Sequence, residues 1–112
     1  MDKSLVQLTA SEVVEGLKKG EISPLELISA AETRILETEP AINALPTLCL
    51  ERARAQAKAL MEKERHGSEN NRGWLAGLPV AIKDLTDVAG VRTTYGSTIF
   101  KDHIPKTSHP LV

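Results

Sequence analysis

The sequence predicts an α/β fold, opening helices followed by one or more strands, and three observations carry that prediction. Two capping boxes and a helix-former-rich run fill residues 1–66, and a turn-forming break follows at 67–73. Residues 74–112 are then rich in Val, Ile, Thr and Gly, and their apolar run Leu78 to Leu85 holds a lysine, Lys83.

The first helix begins at Thr9-Ala10-Ser11-Glu12, where a threonine hydroxyl and a glutamate carboxylate satisfy orphan N–H groups reciprocally. Leu8 and Val13 form the matching hydrophobic staple, Lys18 and Lys19 suit the negative end of the helix dipole, and Gly20 ends the helix near residue 19. The device returns at Ser23-Pro24-Leu25-Glu26, with proline at the first helical position and Ile22 and Leu27 as the staple. Apolar residues at 28, 31 and 35 continue the stripe, and Pro40 is expected to stop the helix near Glu39.

Ala44-Leu45-Pro46-Thr47-Leu48 is short and interrupted by proline, which suits an edge strand or an extended connector. From Leu50 to Arg65, strong helix formers with charges of both signs predict a surface helix. The segment His66 to Gly73 reads as a loop within one domain.

Composition excludes several function classes. At 112 residues, 41% hydrophobic and 26% charged, the chain has the make-up of one folded domain. A net charge of -1 and only three aromatic residues, Trp74, Tyr95 and Phe100, indicate no nucleic-acid partner. No stretch approaches the roughly 20 apolar residues of a membrane span, and the N-terminus lacks a signal-peptide pattern. A single cysteine, Cys49, excludes an internal disulfide and fits a cytoplasmic location. His66, His103 and His109 lack metal-ligand spacing and read as solvated loop residues, so no metal site is expected.

The lysine needs an explanation. In a regular strand Pro79, Ala81 and Lys83 share one face, while Val80, Ile82 and Asp84 share the other. Asp84 then points away from Lys83, and a lysine desolvated among small apolar neighbours becomes a proton acceptor near neutral pH. On the pattern alone two other readings stay open: a strand-end lysine that snorkels to water, and a Schiff-base amine that attacks carbonyls.

A longer match distinguishes among these. Leu75-Ala76-Gly77-Leu78-Pro79-Val80-Ala81-Ile82-Lys83-Asp84, continued by Thr86-Asp87-Val88-Ala89-Gly90-Val91-Arg92-Thr93-Thr94-Tyr95-Gly96-Ser97, resembles the amidase-signature family near its start. The stretches at Ser23-Pro24 and Pro40 to Ala44 are similar as well, so the resemblance covers effectively the whole chain as a partial amidase-signature domain. It implies a mixed β-sheet flanked by helices, to which this N-terminal segment contributes an edge and a few helices. It further implies hydrolysis of carbon–nitrogen amide bonds by a Ser-Ser-Lys triad without metal or organic cofactor, with Lys83 at the catalytic lysine position and one triad serine in a cis peptide.

The family's serines lie downstream in Gly-Ser-rich sequence, whereas Ser97 and Ser108 are the only serines after Lys83 here and neither has that context. The chain is therefore expected to supply Lys83 alone and to be inactive by itself. Asp84, Thr94, Gly96 and Ser97 take supporting places, Asp84 as a loop-holding carboxylate and Ser97 as a turn residue. Cys49 stands where relatives often carry an aspartate helix cap. The partners expected are a small-molecule amide, once a missing segment completes the site, and either self-association or a complementing chain, because residues 78–85 would lack strand neighbours. Two alternatives remain: a non-catalytic binding or assembly module, and a part resembling the A-type chain of a transfer-RNA amidotransferase.

Overall fold

The computed structural model describes residues 3–64 and 73–112. Of the loop predicted from His66 to Gly73, all but Gly73 lies outside the described residues, as does Arg65, the expected last residue of the third helix. Contacts divide the chain into two compact units, Met1–Pro79 and Val80–Val112.

In the first unit a 3₁₀ turn, Lys3–Gln7, precedes helices α1 (Ala10–Lys19), α2 (Pro24–Ile42) and α3 (Leu50–Glu64). Both capping boxes form as the sequence predicts. The Glu12 N–H donates to Thr9 Oγ1 at 3.3 Å, and the Thr9 N–H donates to Glu12 Oε2 at 2.7 Å. The corresponding distances at Ser23 and Glu26 are 3.2 and 2.8 Å. Gly20, at φ 73, closes α1 with its N–H on the carbonyls of Gly16 and Leu17. Val13 and Leu17 of α1, Leu27 of α2 and Ala76 form the buried core, with Ile22, Trp74 and Leu78 packed against it. Arg54 of α3 pairs with Glu32 of α2 and, at 2.9 Å, with Glu51, tying α3 to α2.

The boxes give this unit a defined acid sensitivity. Hydrogen bonds from the Thr9 backbone, then its hydroxyl, hold the Glu12 carboxyl below its ordinary value, and Ser23 acts on Glu26 in the same order. Both folded values lie below the unfolded ones, so their stabilisation is fully present above the ordinary glutamate range and is lost as pH falls through the lowered values. Helical circular dichroism should decline there. Replacing both residues with Gln should flatten that part of the curve, and an unchanged curve would count against the boxes.

Pro40 does not end α2 near Glu39. It lies in the last turn, where its fixed φ is helical and only the bond its own N–H would have made to Leu36 is forgone. The helix runs on to Ile42, and Asn43, left-handed at φ 53 and ψ 48, closes it with its N–H on Glu39 O at 2.8 Å. The Glu39 carboxylate then accepts the N–H groups of Ala44 and Leu45 at 3.1 and 2.9 Å.

The predicted α/β fold requires correction. Among the described residues there is no strand and no sheet, so residues 74–112 are not strand-rich and the segment bearing Lys83 is not part of a mixed β-sheet. A strand exists through its ladder, and Pro79 to Lys83 has none. Pro79 brings no N–H, and the flanking backbone bonds are the turn from Leu78 N–H to Leu75 O at 3.0 Å before it, and after it the turn from Thr86 N–H to Lys83 O and the bond from Tyr95 N–H to Asp84 O, both at 2.9 Å. Val80, Ile82 and Leu85 stay 59%, 44% and 58% exposed.

The second unit is built from turns and one 3₁₀ turn, Thr98–Phe100. Thr93, 1% exposed, sits at its centre with its N–H on His103 O at 2.9 Å. Gly90 N–H to Pro105 O, at 3.0 Å, and His109 N–H to Asp87 O, at 2.9 Å, gather the remaining loops around it.

Candidate functional site

The second unit brings four of the sequence-selected residues together. Asp84 Oδ1 accepts the Thr94 N–H at 2.8 Å, Asp84 Oδ2 accepts the Thr94 hydroxyl, and Thr94 Oγ1 in turn accepts the Gly96 N–H at 3.2 Å. The Thr94 hydroxyl, its N–H and then Arg92 hold the Asp84 carboxyl below the usual carboxylate value, so Asp84 is the ionised acceptor of this loop. Ser97 donates its N–H to Thr94 O at 2.9 Å and accepts the Ile99 N–H on Oγ at 3.2 Å, capping the 3₁₀ turn.

Lys83 shares the turn but not the network. Its carbonyl closes the turn to Thr86, whereas its side chain is exposed and not, as the strand pattern implied, desolvated among small apolar neighbours, because no sheet covers Pro79, Ala81 and Lys83; it has no hydrogen-bond or ion-pair partner among the described residues. Asp84 is committed to Thr94, so the two adjacent charges do not neutralise each other. The arrangement offers an uncommitted amine on a turn braced by a carboxylate. Both downstream serines serve the backbone instead, since Ser108 Oγ accepts the Ala89 N–H at 2.9 Å.

Tyr95 and Asp87 are given no role by the sequence, and His103 reads there only as a solvated loop residue. The Tyr95 hydroxyl donates to Asp87 Oδ1 and lies 3.4 Å from His103 Nε2. The Tyr95 ring meets Phe100 edge-on at 5.2 Å and 88°, with His103 5.7 Å away. His103 is thus part of an aromatic cluster and not a solvated loop histidine, whereas His109 is exposed and accepts the Leu111 N–H on Nδ1 at 3.1 Å. The available signal was Tyr95-Gly96 within Thr94 to Ser97, because a turn with positive φ at both central residues places glycine second.

Other features offer less chemistry. A groove of about 320 Å³ in the first unit is lined by apolar residues, Leu5, Val6, Leu8, Val13, Leu27 and Leu78 among them. Among the described residues no group of three His, Cys, Asp or Glu could hold a metal ion, and no helix is long and apolar enough to cross a membrane.

Comparison with known proteins gives consistent matches. The family model described as Amidase matches residues 26–112. The A-type chain of the glutamyl-tRNA(Gln) amidotransferase from Roseiflexus sp. (strain RS-1) is 40% identical over 101 residues, which is 90% of this chain and 20% of that protein. The protein of the same name from Natranaerobius thermophilus is 43% identical over the same shares. A solved structure described as an unexpected vestigial protein complex, revealing the evolutionary origins of an s-triazine catabolic enzyme, superposes with a TM-score of 0.81 at 33% identity. That alignment covers 90% of this chain and 22% of the other, so the chain spans about a fifth of the length of the relatives it matches.

Proposed function

The chain belongs to the amidase family as its N-terminal segment, and on that footing we propose that it contributes the catalytic lysine, Lys83, to an enzyme that hydrolyses carbon–nitrogen amide bonds. The observation that carries this reading is the uncommitted Lys83 amine beside an Asp84 carboxylate wholly engaged by Thr94. A general base must not be held by a neighbouring carboxylate, and the Asp84–Thr94 bonds prevent that.

In the proposed reaction, the Lys83 amine accepts a proton through a bridging serine as a second serine attacks the amide carbonyl. The tetrahedral oxyanion collapses, the same proton passes to the departing amine, and an acyl-enzyme remains. Water then attacks the ester by the reverse relay and releases the acid. Both serines and the oxyanion donors belong to the remainder of the family's domain, since Ser97 and Ser108 are occupied in capping backbone groups. Asp84, Thr94, Gly96 and Ser97 support the turn, and no cofactor enters the relay.

A second reading is favoured by the relatives' names, each being one chain of an amidotransferase. In that reading the chain works beside a complementing chain in a transfer-RNA amidotransferase, and Val80, Ile82, Leu85 and Ile99, the last 86% exposed, supply apolar surface for the contact. A cytoplasmic location accords with the lone, free Cys49.

The test is an assay of the pure chain on small aliphatic and aromatic amides. It should show no lysine-dependent turnover alone and should gain turnover when produced with the serine-bearing remainder of an amidase. Turnover by the 112 residues alone that disappears in Lys83→Ala would overturn this division of labour.

A further inference from the structure

We propose that Tyr95 and Asp87 are positioning residues that fix the turn carrying Lys83, a role that rests on the amide-hydrolase reading above. Tyr95 is anchored at both ends. Its N–H donates to Asp84 O at 2.9 Å, next to Lys83, and its hydroxyl donates to Asp87 Oδ1 at the far side of the same turn. The Thr86 N–H on Lys83 O, at 2.9 Å, closes the backbone between those two points.

Tyr95 reaches both anchors only because its backbone is left-handed. It has φ 53, followed by Gly96 at φ 70, and the Ser97 N–H on Thr94 O at 2.9 Å closes the turn. A large aromatic residue at positive φ is uncommon and persists where its surroundings over-determine it. Those surroundings are the two anchors, the edge-on contact with Phe100, and the Thr94 bonds to Asp84 one residue earlier. Burial does not force the arrangement, since Tyr95 is only half-buried. The hydroxyl–carboxylate bond therefore selects the position of the Lys83 backbone, and a base displaced by a fraction of an ångström is a poor base.

The bond can be read in the chain as it stands, because Tyr95 is its only tyrosine. The hydrogen bond to Asp87 raises the phenol above its ordinary value, so Asp87→Asn should let the phenolate absorbance appear at lower pH. An unmoved titration would overturn the bond and the proposal with it. The catalytic arm uses the chain joined to the serine-bearing remainder, with kcat counted per acylated site so that misfolded molecules do not enter. Tyr95→Phe should lower kcat about tenfold or more with KM within about twofold. Asp87→Asn should do the same, and the double variant should lose no more than either single one. If Lys83→Ala leaves the rate intact, the hydrolase reading fails. If Lys83→Ala abolishes turnover while Tyr95→Phe and Asp87→Asn leave kcat unchanged, or if their losses multiply, the positioning role is overturned.

Discussion

Lys83→Ala, in an amidase completed around this segment, should lower kcat by about 10³-fold or more while leaving the fold intact. General acid–base catalysis is worth about 10²–10⁴-fold, and in the proposed relay one amine serves both nucleophile activation and leaving-group protonation. The fold should be indifferent because the Lys83 side chain is exposed and has no partner among the described residues, so its truncation should move stability by no more than about 0.5 kcal/mol. Lys83→Arg adds a sharper comparison. It keeps the positive charge and most of the length, but a guanidinium stays protonated and cannot act as base. Arg should therefore be as inactive as Ala, whereas substantial activity in Arg would show that charge alone is required. Borohydride trapping of substrate on Lys83 would instead support the Schiff-base reading.

The sequence was most legible where a residue's partners are a few positions away. Thr9 and Glu12, or Ser23 and Glu26, find each other through one turn of helix, and α1 accordingly begins and ends where its caps lie. Pro40 misled because its cost depends on which carbonyl loses a donor, and near a helix end that cost is small. The apolar run around Lys83 misled for the opposite reason. Alternation predicts which face a side chain takes in a strand, but a strand requires a ladder partner, and nothing in Leu78 to Leu85 states whether one exists. Asp84 is kept from Lys83 by Thr94, ten residues on, and not by the strand alternation that separates the two in the sequence pattern. Tyr95 is not legible because its contacts are with Asp84 and Asp87 together, which its left-handed backbone brings within reach.

Gly77→Ala should be the most damaging single-methyl change in the first unit. Gly77 has φ 98, a conformation that costs a residue with a Cβ about 1–2 kcal/mol. The new methyl would also lie 2.5 Å from Pro24 Cγ, 3.0 Å from Pro24 Cβ and 3.1 Å from Leu60 Cδ2. Pro24 is the first residue of α2, where its ring cannot rotate aside, and Leu60 belongs to α3, so relief requires α2 or α3 to shift from the chain at Ala76 and Leu78. Overpacking of that kind costs about 1–3 kcal/mol, for a combined loss of about 2–5 kcal/mol against the 5–15 kcal/mol that typically stabilises a domain. Gly16→Ala is the control. Its methyl would meet Ile22 Cδ1 at 2.7 Å and Cγ1 at 3.2 Å, but both belong to one side-chain arm that can swing aside without moving backbone, and alanine gains about 1 kcal/mol over glycine within a helix. Trp74, the only tryptophan, packs against the core of this unit and so reports its unfolding in urea. The midpoint should fall steeply for Gly77→Ala and barely move for Gly16→Ala. Equal midpoints would mean that Gly77 is not pressed between the start of α2 and the middle of α3 as the structure places it.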